Sequence, residues 1–97
     1  MIETLSYEFA ANEPVANRAH VGVVASGNCE VLLEPAADGR ASIVVRTSVT
    51  GFDRTWQAVL ARFFARNPVA VQIEINDFGA TPAVVALRLE QALEYAR

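Results

Sequence analysis

Leu5, Tyr7 and Phe9 alternate with Ser6 and Glu8, the two-residue period of a strand with one buried face. Asn12, Pro14 and Asn17 interrupt that pattern, so residues 11–17 read as a loop. From Ala19 to Val24 the chain is apolar apart from His20, and Val21, Val23 and Val24 favour a second strand. Ala25-Ser26-Gly27-Asn28 is a turn sequence, and Glu30 to Glu34 is a short apolar run of strand type. A second turn spans Pro35 to Arg40, with Asp38-Gly39 as its strongest signal. Over Ser42 to Val49 the alternation returns, with Ile43, Val45, Thr47 and Val49 on one face. After Gly51 the period changes. Phe52, Trp56, Val59, Leu60 and Phe63 fall at helical spacing, with Asp53 at the start and Arg62 and Arg66 towards the end, as the helix dipole favours. Asn67-Pro68 stops this helix. Val71, Ile73 and Ile75 then predict a strand, and residues 77–80 a loop. Thr81-Pro82 opens a second helix, with Thr81 as N-cap and an apolar stripe of Val85, Leu89, Ala92, Leu93 and Ala96.

The predicted order is β-β-β-β-α-β-α. Two amphipathic helices after a run of strands imply an α+β fold. The expectation is a two-layer sandwich, a mainly antiparallel four- to five-stranded sheet with two helices on one face, in a single domain over residues 1–97. The strand before the first helix and the strand after it, if neighbours, run parallel through a right-handed crossover.

Composition narrows the function. An apolar fraction of 53% and a mean hydropathy of +0.25 suit a filled core, and leave apolar surface for a partner to cover. The net charge is −3 and all eight basic residues are scattered arginines, which does not suit nucleic-acid binding. Without lysine there is no Schiff-base chemistry. One cysteine, Cys29, and one histidine, His20, support neither an internal disulfide nor a zinc site, so no metal is expected. Met1-Ile2-Glu3-Thr4 is not a signal peptide and no apolar run is long enough to span a membrane, so the expected location is cytoplasmic.

Standard catalytic constellations are missing, and no catalytic residue is expected. His20 lies in a strand with no obvious carboxylate partner, and reads as an ordinary surface or core histidine. Cys29 has no neighbouring His, Lys or Cys to activate it. Asp77-Phe78-Gly79 matches a kinase tripeptide, but the chain lacks every other kinase part. There Gly79 permits a tight turn, Phe78 anchors the loop, and the helix that follows has N–H groups able to meet an anion. Ser26-Gly27-Asn28 has two readings. One is a plain hairpin turn. In the other, Ser26 is an exposed acceptor hydroxyl on a rigid hairpin beside a glycine, Gly27, where a modifying enzyme can reach it.

The ordered segments resemble the acyl carrier (delta) subunits of malonate decarboxylases. They are Glu3–Phe9, Val21–Pro35, Thr47–Gly51, Trp56, and Asn76–Pro82 followed by Val84–Ala92. The likeness runs nearly end to end. Carrier subunits of citrate lyase are more distantly similar; helical phosphopantetheine carriers, with their Asp-Ser-Leu motif, are not. The resemblance implies that Ser26 bears a covalent phosphoribosyl-dephospho-CoA arm through a phosphodiester, with Gly27 forming the turn beside it. It also implies that acetyl and malonyl thioesters pass between transferase and decarboxylase subunits. The implied partners are those subunits, a prosthetic-group transferase and a malonyl transacylase, with no nucleic acid and no membrane. Asn28 stands where Asp is common in the family, and Cys29 where an apolar residue is usual. Arg46 and Arg54 are candidates to meet the arm's phosphates. A second reading, of another class, is a structural subunit with no prosthetic group that packs in a larger complex.

Overall fold

A computed structural model describes all 97 residues. The strands are β1 (Glu3–Ala10), β2 (Glu13–Pro14), β3 (Ala19–Gly22), β4 (Asn28–Pro35), β5 (Arg40–Thr47) and β6 (Val69–Phe78); the helices are α1 (Asp53–Arg66) and α2 (Pro82–Ala96). The long strands form one sheet in the order β1-β5-β6-β4-β3, with β2 paired to the start of β6. The pairings β1–β5, β3–β4 and β4–β6 are antiparallel, whereas β5 and β6 are neighbours and run parallel across helix α1, the direction expected if they were adjacent. The α+β class, the mainly antiparallel sheet and the two helices agree with the expectation.

Alternation within the strands decides what each face does. Val31 and Leu33 of β4, Ile43 and Val45 of β5, and Val71, Ile73 and Ile75 of β6 are buried with both helices. Trp56, Leu60 and Phe63 of α1 and Val85, Leu89 and Leu93 of α2 complete this core. Each fully buried aliphatic side chain contributes about 1.5–3 kcal/mol relative to exposure. The other face is polar. It carries the ion pairs Arg40–Glu8, Arg46–Glu74 and Arg18–Glu34.

Several local expectations change. Residues 11–17 are not all loop: Glu13–Pro14 is a short strand parallel to Val69–Ala70, because the Asn12 and Glu13 amides both donate to the Pro68 carbonyl. The strand expected over 19–24 ends at Gly22, whose φ of +77° turns the chain, so Val23 and Val24 are exposed. Asp77 and Phe78 belong to β6 rather than to a loop, since they pair with Cys29 and Asn28 of β4. Val49 and Phe52 are exposed, as β5 stops at Thr47 and Phe52 precedes the first turn of α1. Thr81 caps α2 as expected: its hydroxyl accepts from the Val84 amide at 3.2 Å.

Candidate functional site

The connection from β3 to β4 runs from Val23 to Gly27, and Ser26 is exposed within it. The Asn28 amide donates to the Ala25 carbonyl at 3.0 Å, closing a four-residue turn with Ser26 and Gly27 at its centre. Gly27 has a φ of +73°, a conformation that an L side chain resists. The turn does not float, because the Gly27 amide donates to the Phe78 carbonyl at 2.8 Å. Asn28 also bridges Gly79. The hydroxyl of Ser26 makes no hydrogen bond within the chain, and no histidine or carboxylate is placed to activate it. A Cβ built on Gly27 would meet no atom within 4 Å, so the space beside Ser26 is open.

The end of β6 supports this turn from beneath. Asp77 is 3% exposed, and its carboxylate accepts from the Thr47 hydroxyl at 2.8 Å and the Ala80 amide at 3.0 Å. These bonds fix the bend that leads into α2. Cys29 lies opposite Asp77 across β4 and β6 and is fully buried. Burial first, and Asp77 second, push its thiol up from an ordinary 9.0 to about 11, while Arg88 acts in the opposite sense. Such a thiol is a core group rather than a nucleophile.

Arg88, on α2, reaches the same place. Its Nε donates to Asn28 Oδ1 at 3.2 Å and its Nη1 to Gln91 Oε1 at 2.9 Å. Asn28 Oδ1 also accepts from the Cys29 amide at 2.8 Å. Spacing along the chain carries no sign of this, because Arg88 reaches Asn28 only through the packing of α2 on β3 and β4. Arg46 is instead paired with Glu74 at 3.1 Å on the polar sheet face, and Arg54 is exposed on the first turn of α1. Neither is hydrogen-bonded to the Ser26 turn.

His20 does have a carboxylate partner, contrary to expectation: its Nε2 lies 2.8 Å from Glu30 Oε2. The antiparallel register sets His20 against Leu32, which brings Glu30 diagonally within reach. This pair sits on the exposed polar face, apart from Ser26. Two surface grooves also leave Ser26 out. One is on the polar face, lined by Arg18, His20, Leu32, Glu34, Gln72 and Glu74. The other lies between β3 and α2, lined by His20, Val21, Gly22, Gln91, Glu94 and Tyr95. No helix is long and apolar enough to cross a membrane.

Comparison with known proteins places the chain in a family. Residues 16–96 match the family model of the malonate decarboxylase delta subunit (MdcD). The chain is 57% identical over 96 residues to the malonate decarboxylase acyl carrier protein of Pseudomonas aeruginosa UCBPP-PA14, covering 98% of this chain and 97% of that one. Against the protein of the same name from Stutzerimonas stutzeri it is 55% identical over 94 residues, covering 96% and 95%. Among solved structures it superposes with a TM-score of 0.93, at 53% identity, on a chain from the crystal structure of a Pseudomonas malonate decarboxylase hetero-tetramer in complex with malonate. That match covers 98% of this chain and 99% of the other. With the fold, the ordered motifs and the family model in agreement over nearly the whole length, the chain belongs to the malonate decarboxylase delta subunit family.

Proposed function

We propose that this chain is the acyl carrier subunit of a malonate decarboxylase, and that Ser26 bears its phosphoribosyl-dephospho-CoA group through a phosphodiester. The observation that carries the reading is the Ser26 turn: an exposed, unbonded hydroxyl on a braced turn, with open space beside Gly27. These residues fit a bulky covalent substituent. When bound, the group supplies a terminal thiol on which acetyl or malonyl is held as a thioester. The protein's own part is to hold the attachment point rigidly and accessibly. Ser26 has no base of its own, so a base on the prosthetic-group transferase would take its proton as the Ser26 oxygen bonds to phosphorus and the donor's P–O bond to its leaving group breaks. Gly27 and the Phe78 carbonyl fix the turn, so that the modifying enzyme meets one backbone shape.

In this reading the chain is non-catalytic and works in the cytoplasm. It presents acyl groups in turn to the transferase subunit, the decarboxylase subunit and the malonyl transacylase. The hetero-tetramer that contains the similar chain supports association with other subunits. The test is the intact mass of the protein purified from its own host, alongside Ser26→Ala. An adduct is expected on the wild-type chain and on Ser6→Ala, Ser42→Ala and Ser48→Ala, and none on Ser26→Ala. An adduct retained by Ser26→Ala would move the site. A wild-type chain with no adduct would favour the structural-subunit reading.

A further inference from the structure

Arg88 is unusual among the arginines of this chain in what holds it. Arg18, Arg40, Arg46 and Arg66 each face a carboxylate. Arg88 is half-buried and has no carboxylate partner; two neutral amides, Asn28 and Gln91, take its Nε and Nη1. The remaining nitrogen, Nη2, makes no hydrogen bond within the chain. Half-burying a guanidinium on neutral acceptors leaves its full charge uncompensated, in a place where water screens it less than on the open surface.

The place is specific. Arg88 is packed over Gly22, where a Cβ would come within 3.2 Å of Arg88 Cδ and 2.1 Å of the Cys29 carbonyl oxygen. Thus the glycine that ends β3 also makes room for the arginine stem. The guanidinium is bonded to Asn28, the residue that closes the turn around Ser26 and Gly27. A second donor there is also free, since the Ser26 amide has no acceptor within the chain. A cation on α2 with an uncommitted N–H, bonded to the residue that closes the turn, together with a free backbone N–H and an exposed hydroxyl in the turn itself, match a phosphate ester. A planar guanidinium suits phosphate oxygens better than an ammonium does.

We infer that Arg88 is the phosphate-holding residue of this carrier, donating from its guanidinium to the phosphodiester on Ser26 while Asn28 and Gln91 hold its orientation. This rests on the reading of Ser26 as the attachment site. Arg88 is a positioning residue: it directs the first phosphate, and hence the root of the arm, towards the α2 side of the turn. In this chain position 28 is neutral, unlike the Asp of many similar carriers, so the guanidinium's charge is left to the phosphate. A carboxylate at that position would pair with the guanidinium and compete with the phosphate for it.

The experiment uses holo protein carrying the arm and its apo counterpart, for the wild type, Arg88→Gln, Arg88→Lys and Asn28→Asp. The 31P resonance of the serine phosphodiester is recorded at low and moderate salt, and the melting temperature of each apo form serves as the folding control. In the wild type the resonance is expected away from that of the same diester in unfolded holo protein, moving towards it as salt rises. In Arg88→Gln it should fall at the unfolded position at every salt concentration, with Arg88→Lys between. In Asn28→Asp, which keeps the arginine and its packing, the displacement should shrink to less than half. The inference is overturned if a folded Arg88→Gln holo protein keeps the wild-type resonance; should that variant not fold, an unchanged resonance in Asn28→Asp overturns it equally. Failure of the underlying reading looks different, because the intact mass of Ser26→Ala would then still show the adduct.

Discussion

The Thr47 hydroxyl donates to Asp77 Oδ2 at 2.8 Å between neighbouring parallel strands, and both side chains are buried. Asp77 Oδ1 accepts from the Ala80 amide as well, so one carboxylate joins β5, β6 and the approach to α2. Removing it takes the shorter of two acceptors from the buried Thr47 hydroxyl, which keeps only the Val49 carbonyl at 3.3 Å, and leaves the Ala80 amide without its side-chain acceptor. Asp77→Ala should therefore cost about 3 kcal/mol, and Thr47→Val about 1–2 kcal/mol, in urea unfolding. If Ser26 is the attachment site as proposed, its loading should suffer more in Asp77→Ala than in Thr47→Val, since only the former loosens the Asp77–Ala80 bend beneath the turn. Equal stability in both variants would contradict this account.

Gly22 and Gly27 both have positive φ but differ in surroundings. A Cβ on Gly22 would overlap the Cys29 carbonyl oxygen at 2.1 Å, a backbone atom that cannot swing aside, whereas one on Gly27 meets nothing within 4 Å. Gly27→Ala should cost about 1–2 kcal/mol, the ordinary penalty for a left-handed L residue. Gly22→Ala should cost more than twice as much and displace Arg88. Thermal melts of the two variants, compared at one pH, check the ranking.

Alkaline stability follows from Cys29 and Tyr7. The Cys29 thiol is pushed up to about 11 by burial and Asp77. Burial, and the hydrogen bond its hydroxyl donates to the Asp53 carboxylate, raise Tyr7 as well. Each group ionises in the unfolded chain before it does in the folded one, so the unfolded state holds fewer protons at high pH. Stability is then fully present below about pH 9 and declines as pH rises from 9 towards 11. Cys29→Ala and Tyr7→Phe should each flatten that decline. Native Cys29 should also resist iodoacetamide near pH 8 and react promptly in urea. Because the site is fully buried, Ala tests the thiol more cleanly than Ser, which would bury a new hydroxyl.

Trp56, the single tryptophan, is 6% exposed in the core between α1 and the sheet. Trp56→Ala should cost about 3–5 kcal/mol. In the wild type its emission should shift to the red in the same transition that abolishes the far-ultraviolet circular dichroism signal. Separated transitions would mean that α1 leaves the sheet before the rest unfolds.

Much of this fold can be read from residue order, because each long strand buries one face and shows it by alternation. Ile43-Val44-Val45 and Val71-Gln72-Ile73 place their core residues directly, and Thr81-Pro82 marks the start of α2. What escapes depends on partners distant in sequence. The two-residue β2 exists because Pro68, more than fifty positions away, offers a carbonyl to Asn12 and Glu13. Asp77-Phe78-Gly79 has the composition of a loop, yet β4 holds Asp77 and Phe78 in the sheet. The His20–Glu30 pair needs the strand register, and Arg88 at Asn28 needs the seat of α2. The Ser26 turn was recognisable from its residue types, but its bracing by the Phe78 carbonyl was not.

That brace has a consequence for the order in which the molecule is made. Ser26 emerges early in synthesis, whereas the carbonyl that holds its turn belongs to the last residue of the last strand. Until β6 enters between β5 and β4, the β3–β4 hairpin has no sheet to lean on and β1–β5 stands as a separate pair. A nascent chain therefore displays the serine on a mobile loop, and only a finished one presents it in the form described above. An enzyme that recognises the braced turn would read completion of the fold, so that chains stalled or misfolded before β6 go unmodified. The Gly27 amide, which donates to Phe78, records that moment: its hydrogen exchange should slow only in chains long enough to include β6.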